Sequence, residues 1–292
     1  MTVASAPTVP VRGEAPDMSI KAVPVRHYGQ WLTAVVVTVL LGAFLMAMAQ
    51  NENLDYSIVA ANLFAGPILH GLVVTFQLTV VAMIGGALIG VLLAVSKLSS
   101  NRVLSALATG YVWFFRGVPL LVLILIFGNF SLLFDTLGIG IPFTDIMFVE
   151  VETNAVMTTF VAAAAALAIH EGAYMAEIVR GGILGVDHGQ KEAAAALGMR
   201  PGLAMFRIVL PQALRMIIPP TGNQLILLLK SSSLVSVIAG GELMTAVNDI
   251  AAVNYRTIEM FFVASFWYLV IVSVLSIGQR FLERRAGRGY NR

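Results

Sequence analysis

Cysteine is absent from the 292-residue sequence, and charged residues make up only 12% of it. The lack of cysteine excludes a disulfide scaffold and a metal site held by thiolates. Because an ordinary soluble domain carries about 25% charged residues, the low charge argues against a soluble enzyme. It also excludes a disordered chain, which needs high charge and low hydrophobicity. No GxxxxGK[ST] sequence occurs, so the chain lacks a phosphate-binding loop for ATP.

Apolar residues make up 58% of the sequence, with a mean hydropathy of +0.87, as expected of an integral membrane protein. A helix that crosses the hydrocarbon core needs roughly 20 mostly apolar residues. Six segments meet this requirement: residues 31–49, 72–95, 104–134, 155–178, 216–239 and 260–277. The third is interrupted at Arg116–Pro119, where proline removes a helix hydrogen bond, so we predict a break with the helix resuming at Pro119.

Lysine and arginine alternate between the two sides of these spans. Of the 18 basic residues, 15 lie before the first span, after the sixth span, or in the loops after the second and fourth spans. Short cytoplasmic loops are enriched in basic residues. The pattern therefore predicts that both termini are cytoplasmic. The loop at 135–154 has no basic residue and four acidic ones, Asp135, Asp145, Glu150 and Glu152, which places it outside.

The N-terminal 68 residues are expected to contain an arm and one span. Residues 1–29 are rich in Pro, Ala and Val and are predicted to form a disordered cytoplasmic arm. Residues 47–49, Ala-Met-Ala, have the small-x-small form of a signal-peptide cleavage site. The preceding arm and the apolar run are both longer than in a signal peptide, which favours a retained helix. Residues 30–68 then form an extra span with its external loop, and residues 284–292 form a basic tail.

The cytoplasmic segment 187–220 is too long to lack structure. Its alanine-rich part, Glu192–Met199, predicts a short helix that ends near Gly198. A second short helix is expected over Leu203–Val209, ending near Pro211. The apolar side chains on these helices fit two alternatives, a surface helix resting on lipid or a docking element for a cytoplasmic partner.

Two further patterns concern packing and charge within the spans. Gly86 and Gly90 form a GxxxG sequence that permits close helix packing, which we favour over a dimer face. Glu177 and Arg180 lie three residues apart and are predicted to form a structural ion pair across one helical turn. Arg116 is expected to pair or to extend toward water at the helix break.

The spacing of the long loop resembles a known signature. Glu192-Ala193-Ala194, three residues, Gly198, nine residues and then Ile208-Val209-Leu210-Pro211 match the EAA signature of binding-protein-dependent ABC importer permeases. Four other runs are similar to those of the polar amino acid subfamily: FRGVPLL at 115–121, AYMAEIVRGGI at 173–183, PPTGN at 219–223 and LLKSSSL at 228–234. The resemblance covers residues 69–283.

The resemblance implies an all-α membrane bundle with a five-helix importer core, one extra N-terminal helix and a cytoplasmic coupling helix. The chain would be the non-enzymatic permease subunit of an ATP-driven amino acid importer in a bacterial inner membrane. Its implied partners are ATPase subunits that carry ATP and Mg²⁺, a second permease subunit, identical or homologous, and an external substrate-binding protein. The coupling residues would be Glu192, Ala193, Ala194, Gly198, Leu210 and Pro211, within a loop of about residues 187–211.

Ionisable residues inside spans are candidates for function because charge in a bilayer is costly. His170 and Glu171 lie in the fourth span and Lys230 in the fifth, where Ser231 and Ser232 follow it. A zwitterionic amino acid needs donors for its carboxylate and an acceptor for its ammonium. We expect Lys230, the serines and Asn223 to supply the donors and Glu171 the acceptor. The alternative is that these groups satisfy one another and the backbone.

Neither a resident cofactor, a metal site, a catalytic residue nor a nucleic-acid partner is expected for this chain. Two other classes of protein are alternatives. A secondary transporter usually has internal repeats, and none is visible in the sequence. An intramembrane enzyme needs a converging set of acid, base or nucleophile, for which His170 and Glu171 are the sole candidates.

Overall fold

Membrane-length helices dominate the computed structural model, which describes residues 28–141 and 147–286. Within those ranges, five helices are long and apolar enough to cross a membrane, or six if one bent pair counts as a single span. The polytopic helical fold is therefore confirmed. Asp145, residues 1–27 of the predicted arm and residues 287–292 of the predicted tail lie outside the described residues.

The described chain divides into two compact units, one ending at Asn53 and the other beginning at Leu54. The first contains α1, Tyr28–Ala49, which is the apolar first span. The second unit also contains α2, Tyr56–Asn62, which lies in the region predicted to hold the external loop after the first span. The indole of Trp267 donates to the carbonyl of Leu63 at 2.8 Å, which fixes the segment after α2 on the last helix.

The elements of the second unit follow α2 in this order. They are α3 (Gly66–Leu98), α4 (Arg102–Gly117), α5 (Leu120–Gly128), a 3-10 turn (Phe130–Leu132), β1 (Thr136–Gly140), β2 (Met147–Glu152), α6 (Thr153–Val156), α7 (Thr159–Leu184), α8 (His188–Ala196), α9 (Pro201–Ala204), a π turn (Met205–Val209), α10 (Leu210–Ser231), a 3-10 helix (Ser232–Ile238), α11 (Leu243–Asn254) and α12 (Thr257–Ala286).

Local sequence explains several of these boundaries. Asn101 accepts from the amides of Val103 and Leu104 and so caps the start of α4. Thr158 caps α7 in the same way by accepting from Val161. Pro119 ends α4 and precedes α5, and the two helices meet at an angle of 96°, which confirms the predicted break.

Helices α3 and α7 pack side by side and run in the same direction. A Cβ atom placed on Gly86 would lie 2.6 Å from Glu171 Cγ, and one on Gly90 would lie 2.4 Å from Met175 Cβ. The GxxxG pair is thus used for packing within the chain, and its glycines let the helices approach closely. Because α3 and α7 are parallel, the bent pair α4–α5 must return the chain to the starting end of the bundle, as one span would.

The remaining helices keep the alternation. Helix α10 runs antiparallel to α7, since Gly182 packs on Ile217 and Glu171 bonds to Gln224. Helix α12 starts beside α11, where Met260 and Val263 join a core with Leu243 and Val247. We call the end of the bundle with the α3–α4 turn, residues 185–209 and the end of α12 the basic end. The opposite end, with α2, β1–β2 and α11, is the acidic end.

Three prolines of the fifth span do not stop its helix. Pro211 lies in the first turn of α10, and Pro219 and Pro220 lie inside it. The prediction that the helix before Pro211 ends there is therefore wrong. A proline in the first turn costs no hydrogen bond, because an amide there has no acceptor within the helix. Membrane helices also tolerate internal proline where neighbouring groups satisfy the carbonyls that it frees.

Candidate functional site

Residues 185–210 at the basic end form two short helices joined by a tight turn. Asp187 caps α8 by accepting from the Gly189 amide at 2.8 Å. Gly198 has a φ of +70°, a left-handed conformation that favours glycine. The amide of Met199 donates to the Ala194 carbonyl at 3.0 Å across this turn. Glycine is therefore required at the predicted turn, although α8 starts and ends several residues earlier than predicted.

The tip of this loop presents apolar side chains to its surroundings. Leu197 is 81% exposed and Phe206 is 71% exposed. Ala194 is buried, whereas Glu192 and Ala193 are exposed. Glu192 lies 3.0 Å from the ring of His188 one turn earlier. The loop thus offers an outer surface with both apolar and charged groups, while Ala194 is the buried residue of α8, which packs against α9 and the π turn.

A π turn joins this loop directly to the fifth span. The Leu210 amide donates to the Met205 carbonyl, five residues back, and Pro211 has no amide hydrogen of its own. Gln212 donates to the Ile208 carbonyl at 2.9 Å and lies 3.5 Å from the Gln190 side chain of α8. A displacement of α8 would therefore be passed to α10 through covalent and hydrogen-bonded connections.

Glu177 is the centre of a three-residue ion cluster at the basic end. Arg180 lies 2.8 Å from one carboxylate oxygen, as the spacing predicted. Lys97 at the end of α3 lies 2.6 Å from the other oxygen. Lys97 was missed by sequence reasoning because the partners are 80 residues apart. The cluster ties α3 to α7 next to the start of the loop.

Glu171 lies at the centre of the bundle and is only 1% exposed. Its Oε2 atom accepts from the Gln224 amide of α10 at 3.0 Å. Its Oε1 atom has no hydrogen-bond partner within the described part of the chain. A buried carboxylate oxygen without a hydrogen bond lowers the stability of the fold. Glu171 is therefore the strongest candidate for a functional polar group inside the bundle.

His170 and Arg116 converge on one aromatic ring. The rings of His170 and Tyr174 lie 5.1 Å apart. The Arg116 guanidinium lies 5.2 Å from the centre of the Tyr174 ring, a cation–π distance. Arg116 thus uses the ring face of Tyr174 at the helix break.

Two of the other predicted substrate groups, Asn223 and Ser232, have partners of their own. Asn223 accepts from Gln279 of α12 at 2.8 Å. The Ser232 hydroxyl donates to the Leu229 carbonyl and Ser233 to the Lys230 carbonyl. Lys230 is exposed, and Ser231, which ends α10, is partly buried. Gln224 is the residue that donates to Glu171. The sequence did not single it out as a candidate because it is neutral.

Glu242 is a second buried carboxyl group, at the acidic end. It caps α11 by accepting from the amides of Met244 and Thr245, at 2.6 and 2.8 Å. Burial raises the pKa of this carboxyl above its ordinary value, although these amide bonds act in the opposite direction. Its hydrogen bonds explain it as a structural cap.

A groove of about 1000 Å³ opens between α3, α7 and α10 near the loop. Its walls are almost entirely apolar and include Met83, Met175, Met205, Leu214 and Leu225. Such a lining does not suit a zwitterion, which needs polar partners. Across residues 28–141 and 147–286, no three His, Asp or Glu side chains gather as a metal site would require.

Comparison with known proteins agrees with this architecture. Residues 86–288 match the family described as binding-protein-dependent transport system inner membrane component. The chain is 39% identical over 285 residues to the arginine transport system permease protein ArgU of Corynebacterium glutamicum, covering 97% of this chain and 88% of that protein. It is 33% identical over 216 residues to the probable glutamine ABC transporter permease protein GlnM of Bacillus subtilis, covering 74% of this chain and 91% of the relative.

A solved structure has the same fold. It is described as an amino acid ABC transporter with histidines, and the match has a TM-score of 0.67 and 35% identity. It covers 80% of this chain and 99% of the other.

Proposed function

The chain belongs to the family of binding-protein-dependent transport system inner membrane components, and on that premise we propose a mechanism for it. The chain is the membrane-spanning permease subunit of an ATP-driven amino acid importer. It translocates substrate that an external binding protein delivers. The loop at 187–211 couples this movement to a separate ATPase subunit. The exposed, glycine-turned form of that loop is the observation that carries the proposal.

The six coupling residues have distinct parts in this proposal. Glu192 and Ala193 face outward from α8 and meet the ATPase, together with the apolar tip at Leu197. Ala194 is buried and holds α8 against α9 and the π turn. Gly198 allows the turn that presents the tip. Leu210 and Pro211 begin α10, so motion of the loop reaches the span that carries Gln224.

The sidedness follows from charge. The basic end carries Lys97, Arg102, Lys191, Arg200 and Arg207, whereas Glu150, Glu152 and Asp249 lie at the acidic end. The positive-inside rule then places the basic end in the cytoplasm, beside the ATPase. Both termini are cytoplasmic, and the membrane is the bacterial inner membrane.

The complete transporter contains other chains. A second permease subunit, identical or homologous, lies beside this one, and ATPase subunits bind ATP and Mg²⁺ below. The absence of a phosphate-binding loop from this sequence supports the assignment of ATP hydrolysis to those subunits. The substrate-binding protein docks at the acidic end.

The substrate is a polar amino acid, and arginine is the first to test. ArgU is an arginine permease by its description, and it matches nearly the whole chain. Glu171 with Gln224 is the polar centre of the proposed substrate path, and His170, Asn223, Lys230, Ser231 and Ser232 complete it. The large groove is apolar and is therefore excluded from the path. No observation favours a secondary transporter or an intramembrane enzyme.

ATP hydrolysis tests the proposal. The partner ATPase is assayed alone, with this chain and its second permease subunit in lipid nanodiscs, and with both permease subunits plus the binding protein loaded with arginine. Hydrolysis should rise most in the third mixture. If this chain leaves hydrolysis unchanged in both mixtures, the coupling function is wrong. Arginine uptake by the chain alone, driven by an ion gradient, would favour a secondary transporter.

A further inference from the structure

The hairpin β1–β2 at the acidic end has two chemically different faces. Its strands pair antiparallel with Leu137 opposite Val151 and Ile139 opposite Val149. Paired residues share a face and alternate along each strand. One face therefore carries these four apolar side chains. The other carries Glu150 and Glu152, whose neighbours across the ladder are Gly138 and Thr136, together with Met147, which pairs with Gly140. Phe148 lies at an irregularity beyond this register.

Three of the four apolar residues, Ile139, Val149 and Val151, are exposed in the described chain, and Leu137 is partly buried. Ile139 is 71% exposed and Val149 is 56% exposed. A two-stranded hairpin is only marginally stable in water unless its apolar face is packed against something. On the opposite face, the Thr136 hydroxyl donates to Glu150 at 2.7 Å, which agrees with the register. A stable hairpin of this kind needs its apolar face packed against an apolar surface and its acidic face exposed to water.

The base of the hairpin is firmly attached to the bundle. Thr153 is fully buried, and its hydroxyl donates to the Phe134 carbonyl at 2.5 Å. The Thr153 amide donates to the Asp135 carbonyl at 3.0 Å, which closes the base. The Phe130 ring stands 5.8 Å from Phe127 of α5 and 5.2 Å from Phe134. The hairpin is therefore held near the bundle and does not hang from a long linker.

This attachment sets the depth of the hairpin in the membrane. Residues 129–135 join it to the end of the bent span α4–α5, and residues 153–158 join it to the start of α7. Both neighbours are membrane segments. The hairpin must therefore begin at the membrane surface. A charge in the hydrocarbon costs about 2.5–3.5 kcal/mol on insertion scales, but the strands can lower their apolar face without burying a charge.

We propose that the apolar face of the hairpin, Leu137, Ile139, Val149 and Val151, lies on the lipid of the membrane surface, with Glu150 and Glu152 turned to water. Residues 117–179 contain no lysine or arginine, so attraction to anionic headgroups has no part in this contact. Burial of apolar area provides the affinity, and zwitterionic lipid is sufficient. This contact goes beyond the transport function and does not depend on the ATPase.

The absence of native cysteine makes a direct test possible. Single variants Ile139→Cys, Val149→Cys, Glu150→Cys and Glu152→Cys are labelled with a nitroxide in the full chain. The labelled protein is placed in nanodiscs of phosphatidylcholine. Electron paramagnetic resonance then compares the access of each label to oxygen, which dissolves in lipid, and to a water-soluble nickel chelate.

The expected result is a change of sign between the two faces. Labels at 139 and 149 should favour oxygen over the nickel chelate, and labels at 150 and 152 should favour the nickel chelate. Addition of anionic lipid should leave both results unchanged. Preference for nickel at 139 and 149 would overturn the proposal, as would protection there after the binding protein is added. Shielding of 139 and 149 from both reagents would also overturn it and would indicate a protein contact, such as a second copy.

Discussion

Gln224 on α10 donates a hydrogen bond to the buried carboxylate of Glu171 on α7, with Nε2 and Oε2 3.0 Å apart. The Cβ and Cγ atoms of the same side chain pack against Gly86 of α3, so three spans meet at one polar residue. Because α10 continues directly from the coupling loop, this hydrogen bond lies on the route from that loop to the centre of the bundle. A movement of the coupling loop can therefore alter the hydrogen bond between Gln224 and Glu171 through α10 alone.

Glu171→Gln should lower the rate of ATP-driven amino acid uptake and leave co-purification with the ATPase unchanged. The amide keeps the shape of the side chain and an acceptor for Gln224, but it removes the negative charge that an ammonium group would meet. Uptake into proteoliposomes measures the effect. Uptake at the unmodified rate in Glu171→Gln would remove this residue from the substrate path.

Lys230→Met should also slow uptake, whereas Lys230→Arg should retain most of it. Methionine preserves much of the length of the side chain but cannot donate to a carboxylate, and arginine keeps the positive charge. Initial uptake rates of the two variants in the same proteoliposomes provide the comparison. Equal rates for Lys230→Met and the unmodified chain would show that the cation has no part in transport.

Gly198→Val should reduce the stimulation of ATP hydrolysis by the loaded binding protein. A residue with a Cβ in the left-handed conformation costs roughly 1–2 kcal/mol, so the turn that presents Leu197 would be distorted. Gly202→Val is a matched control in the same loop, because its added side chain meets open space and its φ is not in the left-handed range. If both variants respond to the binding protein as the unmodified chain does, the glycine turn is not needed for coupling.

Gly90→Ala should lower the melting temperature of the protein in detergent. The new Cβ would lie 2.4 Å from Met175 Cβ and 2.9 Å from the Ala176 amide nitrogen, so α3 and α7 would have to separate. Overpacking of this kind costs about 1–3 kcal/mol. Gly110→Ala on α4 meets nothing within 4 Å and should leave the melting temperature unchanged or raise it. A similar effect of both substitutions would mean that helix propensity, and not the close approach, decides the result.

The sequence predicts the spans well because lipid demands long apolar runs and because proline marks the break at Arg116–Pro119. The hairpin was missed, although Val149 to Glu152 alternate between apolar and charged, a pattern typical of a strand. The alternating run covers only four residues and lies between long apolar helices, so it was not recognised as a strand. Gln224 and Lys97 could not be predicted as partners, since their contacts with α7 depend on the packing of helices far apart in sequence. The start of the core unit at Leu54 depends similarly on the contact between Leu63 and Trp267.

Accumulation of radiolabelled arginine in proteoliposomes tests the central claim most directly. The vesicles contain this chain, its second permease subunit and the ATPase, with ATP and Mg²⁺ on the ATPase side and the binding protein on the other. We predict uptake against a gradient that requires ATP, this chain and the binding protein, and that stops when the ATPase carries an inactivated ATP site. Uptake that persists without ATP, or that proceeds equally well without this chain, would contradict the account.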